Sequence, residues 1–180
     1  MILSYAEALD KYGSRHFVRK ALKEKQLVRF GQNQYSTDKV YDSMDAAIKQ
    51  YPSAIVTGIT AYYIHGLTDT VPDTVDLATK RGGTKIVLPY VTQHFIPKEW
   101  LDTGSITLFY DGSFIPIYDQ ERMLLELMRN RSKLPFDLYK EIVAAYRARQ
   151  DSLNIHRLQD YAEQMPRGRK HLGLILREVF

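Results

Sequence analysis

The chain of 180 residues is long enough for one large or two small domains with a substantial core. Hydrophobic residues make up 44% of it and charged residues 26%, as in a typical globular protein, and no apolar run reaches the roughly 20 residues of a membrane span. The lack of cysteine excludes disulfides and thiolate metal sites. Because the first residues lack the basic start and apolar centre of a signal peptide, we expect a cytoplasmic protein.

The positive charge of the chain is concentrated near its start. The formal net charge is +4, yet residues 14–39 hold seven Lys and Arg against two acidic residues, so their balance is +5 and the remainder sums to −1. A local excess of this kind is typical of nucleic-acid contact. A second, weaker basic cluster near the C-terminus fits either a solvated face or a nucleic-acid contact: Arg157, Arg167, Arg169, Lys170 and Arg177.

The basic stretch is predicted to be the second of two short helices. The first covers residues 4–12 and ends at Gly13, because glycine tolerates the positive φ of a helix C-terminus. The second covers residues 14–25, with Ser14 as its N-cap. At about 100° per residue, its apolar arc holds Phe17, Val18, Ala21 and Leu22, and the opposite arc holds Arg15, His16, Arg19, Lys20 and Lys23.

Two short strands are predicted directly after these helices. Residues 27–30 alternate apolar and polar, a turn follows at 31–33, and residues 34–36 form the return strand. This order is that of a winged helix-turn-helix, whose second helix enters the DNA major groove. The alternative is a charged face that is merely solvated. We predict DNA contacts from the following residues: Ser14, Arg15, His16, Arg19, Lys20, Lys23, Arg29, Gln32 and Gln34.

The rest of the chain is predicted to form a second domain of mixed structure. Strands are expected at residues 54–57, 74–79 and 85–89, and a hairpin joins 106–110 to 114–117 across the Asp111-Gly112 turn. Further helices cover residues 42–50 and 58–64, and four more begin near Asp119, Pro135, Asn154 and Lys170. Strands first and helices afterwards favour an α+β domain. The predicted fold class is α+β, with a winged helix-turn-helix over residues 1–45 and an α+β domain over residues 46–180.

Other polar residues of the second domain have two interpretations each. Lys80, Arg81 and Lys85 flank a Gly-Gly turn, where they form either a secondary phosphate contact or an exposed hairpin tip. His65 is interpreted as a helix cap, since the helix dipole favours histidine at a C-terminus.

Catalytic signatures are not found in the sequence. No Asp-x-Asp follows Gly112-Ser113 as in a nucleotidyltransferase, and neither a phosphate loop nor a nucleophile elbow occurs. We therefore expect a protein without catalytic activity, metal or cofactor.

Three stretches of the chain carry a family resemblance. They are the wing from Gly31 to Tyr35, the segment TGITAYYIHGLTD at residues 57–69, and YDQERML at residues 118–124. Together and in this order they resemble the AbiEi-type antitoxins of bacterial abortive-infection, type IV toxin–antitoxin systems. The resemblance spans nearly the whole chain, and it implies a DNA-binding winged helix followed by an antitoxin domain. One departure is that the chain starts almost at the first helix of the motif, so the usual preceding helix is short or absent.

The resemblance also implies a function and its partners. It implies a repressor that binds double-stranded DNA at inverted repeats of its own promoter, and inverted repeats suggest two copies per operator. Because no long heptad or exposed apolar helix indicates a dimer interface, we expect a monomer in solution. The second domain counteracts a nucleotidyltransferase-like toxin without forming a stable complex.

Two alternatives stay open. In one, the chain is a protein- or RNA-binding module that neutralises its toxin by direct complex formation. In the other, the second domain is an enzyme whose metal is held by Asp69, Asp73 or Asp76.

Overall fold

The computed structural model describes residues 2–24, 26–31, 34–37 and 43–180. The chain divides into two compact units. The first comprises Met1–Ser53 and Ile86–Tyr90, and the second comprises Ala54–Lys85 and Val91–Phe180. A boundary between domains at residues 45 and 46 stays a prediction, because compactness does not test independent folding.

In the described residues of the first unit, a three-stranded antiparallel sheet is accompanied by three helices. Its elements are β1 (Ile2–Ser4), α1 (Tyr5–Tyr12), α2 (Arg15–Lys23), β2 (Val28–Gly31), β3 (Gln34–Ser36) and α3 (Ser43–Gln50). The order of strands in the sheet is β1-β3-β2. The predicted helices and strands of this region are therefore found, and β1, which the sequence analysis did not predict, adds a strand on the far side of β3.

Ser4 joins β1 to α1 through a capping box. The Ser4 hydroxyl accepts from the Glu7 N–H at 3.3 Å, and the Glu7 carboxylate accepts from the Ser4 N–H at 2.6 Å. These two bonds satisfy backbone donors that a helix start otherwise leaves unpaired. The hydrogen bond from the Ser4 backbone lowers the pKa of Glu7 below its ordinary value.

The second unit is built on a five-stranded mixed sheet. Its elements are β4 (Ile55–Val56), α4 (Gly58–Ile64), β5 (Val75–Lys80), β6 (Val91–Ile96), β7 (Ser105–Tyr110), β8 (Ser113–Tyr118), α5 (Gln120–Asn130), α6 (Phe136–Ala148), α7 (Ile155–Gln164) and α8 (Gly168–Glu178). The strand order is β6-β5-β4-β8-β7. The β5–β6 and β4–β8 pairs are parallel, and the others are antiparallel. Over the described residues the fold is therefore mixed α+β.

Several local predictions for this unit are confirmed. Asp111 and Gly112 both have positive φ, 47° and 82°, as the tight turn between β7 and β8 requires. Asp119 caps α5 by accepting from the Arg122 N–H at 2.8 Å, and Asn154 caps α7 by accepting from the Arg157 N–H at 3.0 Å. Each of these features depends on residues only a few positions apart.

One predicted strand is wrong, and one observed strand was not predicted. Residues 85–89 form no strand, although Ile86 and Leu88 are buried and Val87 is 80% exposed. The alternation reflects burial in the first unit, to which Ile86–Tyr90 belong. The next segment instead forms β6, where His94 is aligned with Ala78 of β5.

Helix α5 is the centre of the second unit, and a buried arginine fixes it in place. Arg122 is fully buried and donates from Nη1 to the carbonyl oxygens of Trp100 and Thr103 at 2.8 and 2.9 Å. Its Nε and Nη2 donate to Glu126 at 3.2 and 3.0 Å, and its guanidinium lies 4.5 Å from the ring centre of Tyr118. Burying a charge is unfavourable unless it is paired and hydrogen-bonded, and these contacts provide both.

Among the residues described by the structure, none of the helices has both the length and the apolar character needed to cross a membrane.

Candidate nucleic-acid interface

A two-residue turn sets the angle between α1 and α2. Gly13 has a φ of +81° and donates its N–H to the Leu9 carbonyl at 2.7 Å, which ends α1. Ser14 is extended, and its hydroxyl accepts from the Phe17 N–H at 3.4 Å, which begins α2. The predicted N-cap is therefore confirmed. Because Ser14 is already bonded within the helix, its predicted DNA contact stays a prediction.

The inner side of α2 is anchored in the core of the first unit. Val18 and Ala21 are 2% and 3% exposed. They belong to one buried cluster with residues of β1, α1, β3 and the segment before β2: Leu3, Ala8, Tyr35 and Leu27. Burying a side chain of valine size contributes about 1.5–3 kcal/mol. This cluster therefore holds the helix by one side only.

The outer side of α2 carries the predicted basic residues, and all five are exposed: Arg15, His16, Arg19, Lys20 and Lys23. Arg15 donates from Nε to the Tyr5 hydroxyl at 3.0 Å, and Lys20 lies 3.9 Å from Glu24 in an exposed ion pair. Such surface pairs contribute little and exchange readily for other partners. Arg19 and Lys23 have no ion-pair or hydrogen-bond partner among the described residues, so both cations are free to contact a ligand.

The placement of Phe17 on the apolar arc is wrong. Its side chain is 53% exposed, and its ring lies 5.6 Å from that of His16 in an edge-on arrangement. Because Val18 and Ala21 point to the middle of the core, a residue one step before Val18 is turned about 100° away from it. Phe17 therefore lies at the border of the basic side.

Strands β2 and β3 pair with a local irregularity. Val28 is aligned with Ser36 and Arg29 with Tyr35, and the register then shifts so that Gly31 is aligned with Gln34. Arg29 is exposed, and its predicted DNA contact stays a prediction. Gln32 lies outside the described residues, as does the side chain of Gln34. Their DNA contacts therefore stay predictions.

The secondary basic residues belong to the second unit. Lys80 ends β5, and Arg81 and Lys85 lie in the segment that follows it; all three are exposed. Their contact with phosphate stays a prediction.

In the C-terminal cluster, two arginines are engaged within the second unit. Arg157 lies 3.6 Å from Asp119 and 3.8 Å from Glu121, and Arg177 donates to the Gly173 carbonyl.

The structure gives each of the remaining candidate residues a local role. His65 is the C-cap of α4 and its Nε2 is 2.7 Å from the Tyr118 carbonyl oxygen, which confirms its interpretation as a cap. Burial lowers the pKa of His65. Asp76 accepts from two N–H groups of α4 and lies 2.6 Å from the His94 ring. Across the described ranges, no group of three acidic or histidine side chains is arranged to hold a metal.

No family model matches the chain, and no curated protein matches it. The function is therefore argued from the geometry of α2 and its surroundings, together with the motifs that carry the resemblance.

Proposed function

We propose that this chain is a DNA-binding autorepressor and the antitoxin of a bacterial type IV toxin–antitoxin operon. In this proposal α1, α2 and the β2–β3 pair act as a winged helix-turn-helix, and α2 enters the major groove at inverted repeats of the chain's own promoter. The second unit counteracts a nucleotidyltransferase-like toxin, and the protein acts in the cytoplasm without catalysing a reaction.

The division of α2 into two sides is the observation that carries the DNA-binding part. A helix in the major groove must be held by one side and present hydrogen-bond donors on the other. Val18 and Ala21 meet the first requirement, and the exposed Arg19 and Lys23 meet the second.

The first experiment is a gel-shift titration with the DNA directly upstream of the gene, at two salt concentrations and with excess unrelated DNA. Specific binding that weakens steeply with salt is expected, because neutralised phosphates release counterions. If no specific shift occurred at either salt concentration, the proposed role as a repressor of this promoter would be wrong.

A pair of double variants tests the assignment of α2. Arg19→Ala combined with Lys23→Ala is expected to abolish specific operator binding and to reduce the slope of log K against log [salt] for the remaining non-specific binding by about 1–2. Lys98→Ala combined with Lys140→Ala changes the net charge equally at exposed positions of the second unit and should leave binding intact. If the two double variants weakened operator binding equally, α2 would contribute to binding only through the net charge of the protein.

The antitoxin part is tested separately by growth rescue. Cells that express the neighbouring toxin gene are expected to recover when the full chain is supplied, and equally when the Arg19→Ala, Lys23→Ala variant is supplied. Co-purification of a stable complex with the toxin would instead favour neutralisation by direct binding. If neither the unchanged protein nor the double variant restored growth, the proposed antitoxin role would be wrong. The proposed repressor role would not be affected by that result.

A further inference from the structure

The second unit contains a cavity of about 420 Å³, which is the size of a small-molecule site. It lies between the start of α4, the edge strand β6 and the C-terminal half of α5. The side chains of Tyr62, Met123 and Ile96 are buried or nearly so and give it an apolar lining. The protein function proposed above does not use this cavity.

One wall of the cavity is polar, and both oxygens of its carboxylate have hydrogen-bond partners within the protein. The Oδ2 atom of Asp76 accepts from the N–H groups of Ile59 and Thr60 at 3.1 and 3.4 Å, and its Oδ1 atom lies 2.6 Å from Nε2 of His94. The carboxylate of Asp76 is therefore hydrogen-bonded by groups of the protein itself.

The opposite wall carries cations in excess. Both oxygens of Glu126 are occupied, because they accept from Arg122, Arg129 and Asn130. Every hydrogen bond of Arg129 comes from its Nη1 atom, so Nε and Nη2 have no partner among the residues described.

The two cations of this wall differ in how firmly they are held. The guanidinium of Arg129 lies 4.6 Å from the ring centre of Trp100, which fixes its position. Lys133 is exposed and forms no ion pair within the described part of the chain. One pre-positioned and one mobile cation therefore face a cavity with an apolar lining.

We propose that this cavity binds a small organic oxyanion, a phosphate or carboxylate attached to an aromatic or similarly flat apolar body. The oxyanion lies against Arg129 and Lys133, where charge-assisted hydrogen bonds are strongest. The apolar body lies on Tyr62, Met123 and Ile96. The wall at Asp76 carries a carboxylate, which repels an oxyanion, so the oxyanion is placed at Arg129 and Lys133.

Four small molecules, each added to the full chain, test separately whether the oxyanion and the apolar body of the ligand contribute to binding. Phenyl phosphate and benzoate share an aromatic ring and differ in their oxyanion, phenol lacks the charge, and inorganic phosphate lacks the ring. Binding is followed by the ¹³C-methyl NMR signals of methionine, because the chain has only five methionines and, of the four that the structure describes, only Met123 lines the cavity. The signal of Met165, which is buried elsewhere, serves as the internal control.

The expected result is that at least one of the two aromatic anions shifts the Met123 signal in a saturable manner. Phenol and inorganic phosphate should bind at least fivefold more weakly. The stronger of the two anions then identifies the oxyanion that the site prefers. The absence of a saturable shift with either anion up to about 10 mM would overturn the proposal, because the dissociation constant would then exceed that concentration. Equal binding of phenol would also overturn it.

Variants of Lys133 test the position of the oxyanion without disturbing the core, because this side chain is exposed. Lys133→Gln should weaken binding of the preferred anion about five- to tenfold, as expected for the loss of one charge-assisted contact. Lys133→Arg should retain binding, and Lys98→Gln, which removes an exposed lysine outside the cavity, should have no effect. Unchanged affinity in Lys133→Gln would overturn the proposed placement.

Discussion

A Cβ atom on Gly58 would lie 2.6 Å from Cγ of Asp76, so the turn between β4 and α4 can pass over that carboxyl only because residue 58 is glycine. Gly58 also has a φ of +57°, in the left-handed region that glycine adopts without strain. The same carboxylate accepts from the N–H groups of Ile59 and Thr60. Gly58 and Asp76 therefore fix the start of α4 together.

Gly58→Ala is predicted to destabilise the protein by about 2–5 kcal/mol. Roughly 1–2 kcal/mol comes from the left-handed backbone and about 1–3 kcal/mol from overpacking against Asp76. Gly82→Ala is the matched control, because Gly82 has a φ of +76° but no atom within 4 Å of the added methyl group. Urea unfolding of both variants measures the difference. Equal losses would mean that the contact with Asp76 contributes nothing.

Arg122→Met is predicted to lower the free energy of unfolding by about 3–5 kcal/mol, as is usual when one partner of a buried ion pair is removed. The substitution leaves the carbonyls of Trp100 and Thr103 without their donor. Arg131→Met is the control, since its bridge to Glu178 is exposed and should contribute less than about 1 kcal/mol. A loss in Arg122→Met as small as in the control would contradict the central role of this side chain.

Phe17 is predicted to contact a thymine methyl group if the proposed DNA-binding role is right. It is exposed beside the basic residues of α2, and apolar side chains recognise thymine in the major groove through its methyl group. An operator with uracil in place of thymine should bind about fourfold more weakly, since one buried methyl contributes about 0.8 kcal/mol. Phe17→Ala should lose this discrimination.

Phe114→Ala provides the matched control for the thymine experiment. Phe114 is also exposed, at 73%, but lies on β8 of the second unit. This variant should discriminate between the two operators as the unchanged protein does. If Phe17→Ala still distinguished thymine from uracil fully, the methyl contact would belong to another residue.

The stability of the protein is predicted to fall as the pH decreases from about 7.5 to 5.5. Burial lowers the pKa of His65 and of His171 below that of an exposed histidine. The unfolded chain therefore takes up protons at a higher pH than the folded protein, and folding stability is lost as pH falls through and below the ordinary histidine pKa of about 6.5. Urea unfolding across this pH range measures the slope.

The variant His65→Gln should have a shallower dependence on pH, because glutamine does not titrate and can still donate to the Tyr118 carbonyl. His156→Gln is the control, since His156 is exposed. A slope in His65→Gln identical to that of the unchanged protein would mean that His65 does not contribute to the loss at acid pH.

The sequence alone predicts those structural features that depend on residues close together in the chain. Ser14 and Asp119 were identified as caps because a side-chain oxygen needs only the N–H groups of the following turn. The basic side of α2 was identified for the same reason, since a helix repeats every 3.6 residues. Helical periodicity places residues around the axis, but it does not say how wide the buried side is, and Phe17 was misplaced for that reason.

The pairing of His94 with Asp76 could not be predicted from the sequence. The two residues are 18 positions apart and meet because β5 and β6 are parallel neighbours, with Asp76 aligned with Thr92 and Ala78 with His94. The sequence pattern instead suggested a strand at residues 85–89, which would have changed the order of the sheet. The polar lining of the cavity therefore depends on topology that local patterns do not specify.

The path of the chain limits how the first unit can be transferred to another protein. Ile86–Tyr90 belong to that unit, although they lie between β5 and β6, which pair with each other in the second. A gene fragment that stops at Ser53 therefore encodes an incomplete first unit, and during synthesis the unit acquires its last segment only when half of the chain has been made. Exchange of the first unit between related proteins as a single contiguous cassette would leave five of its residues behind.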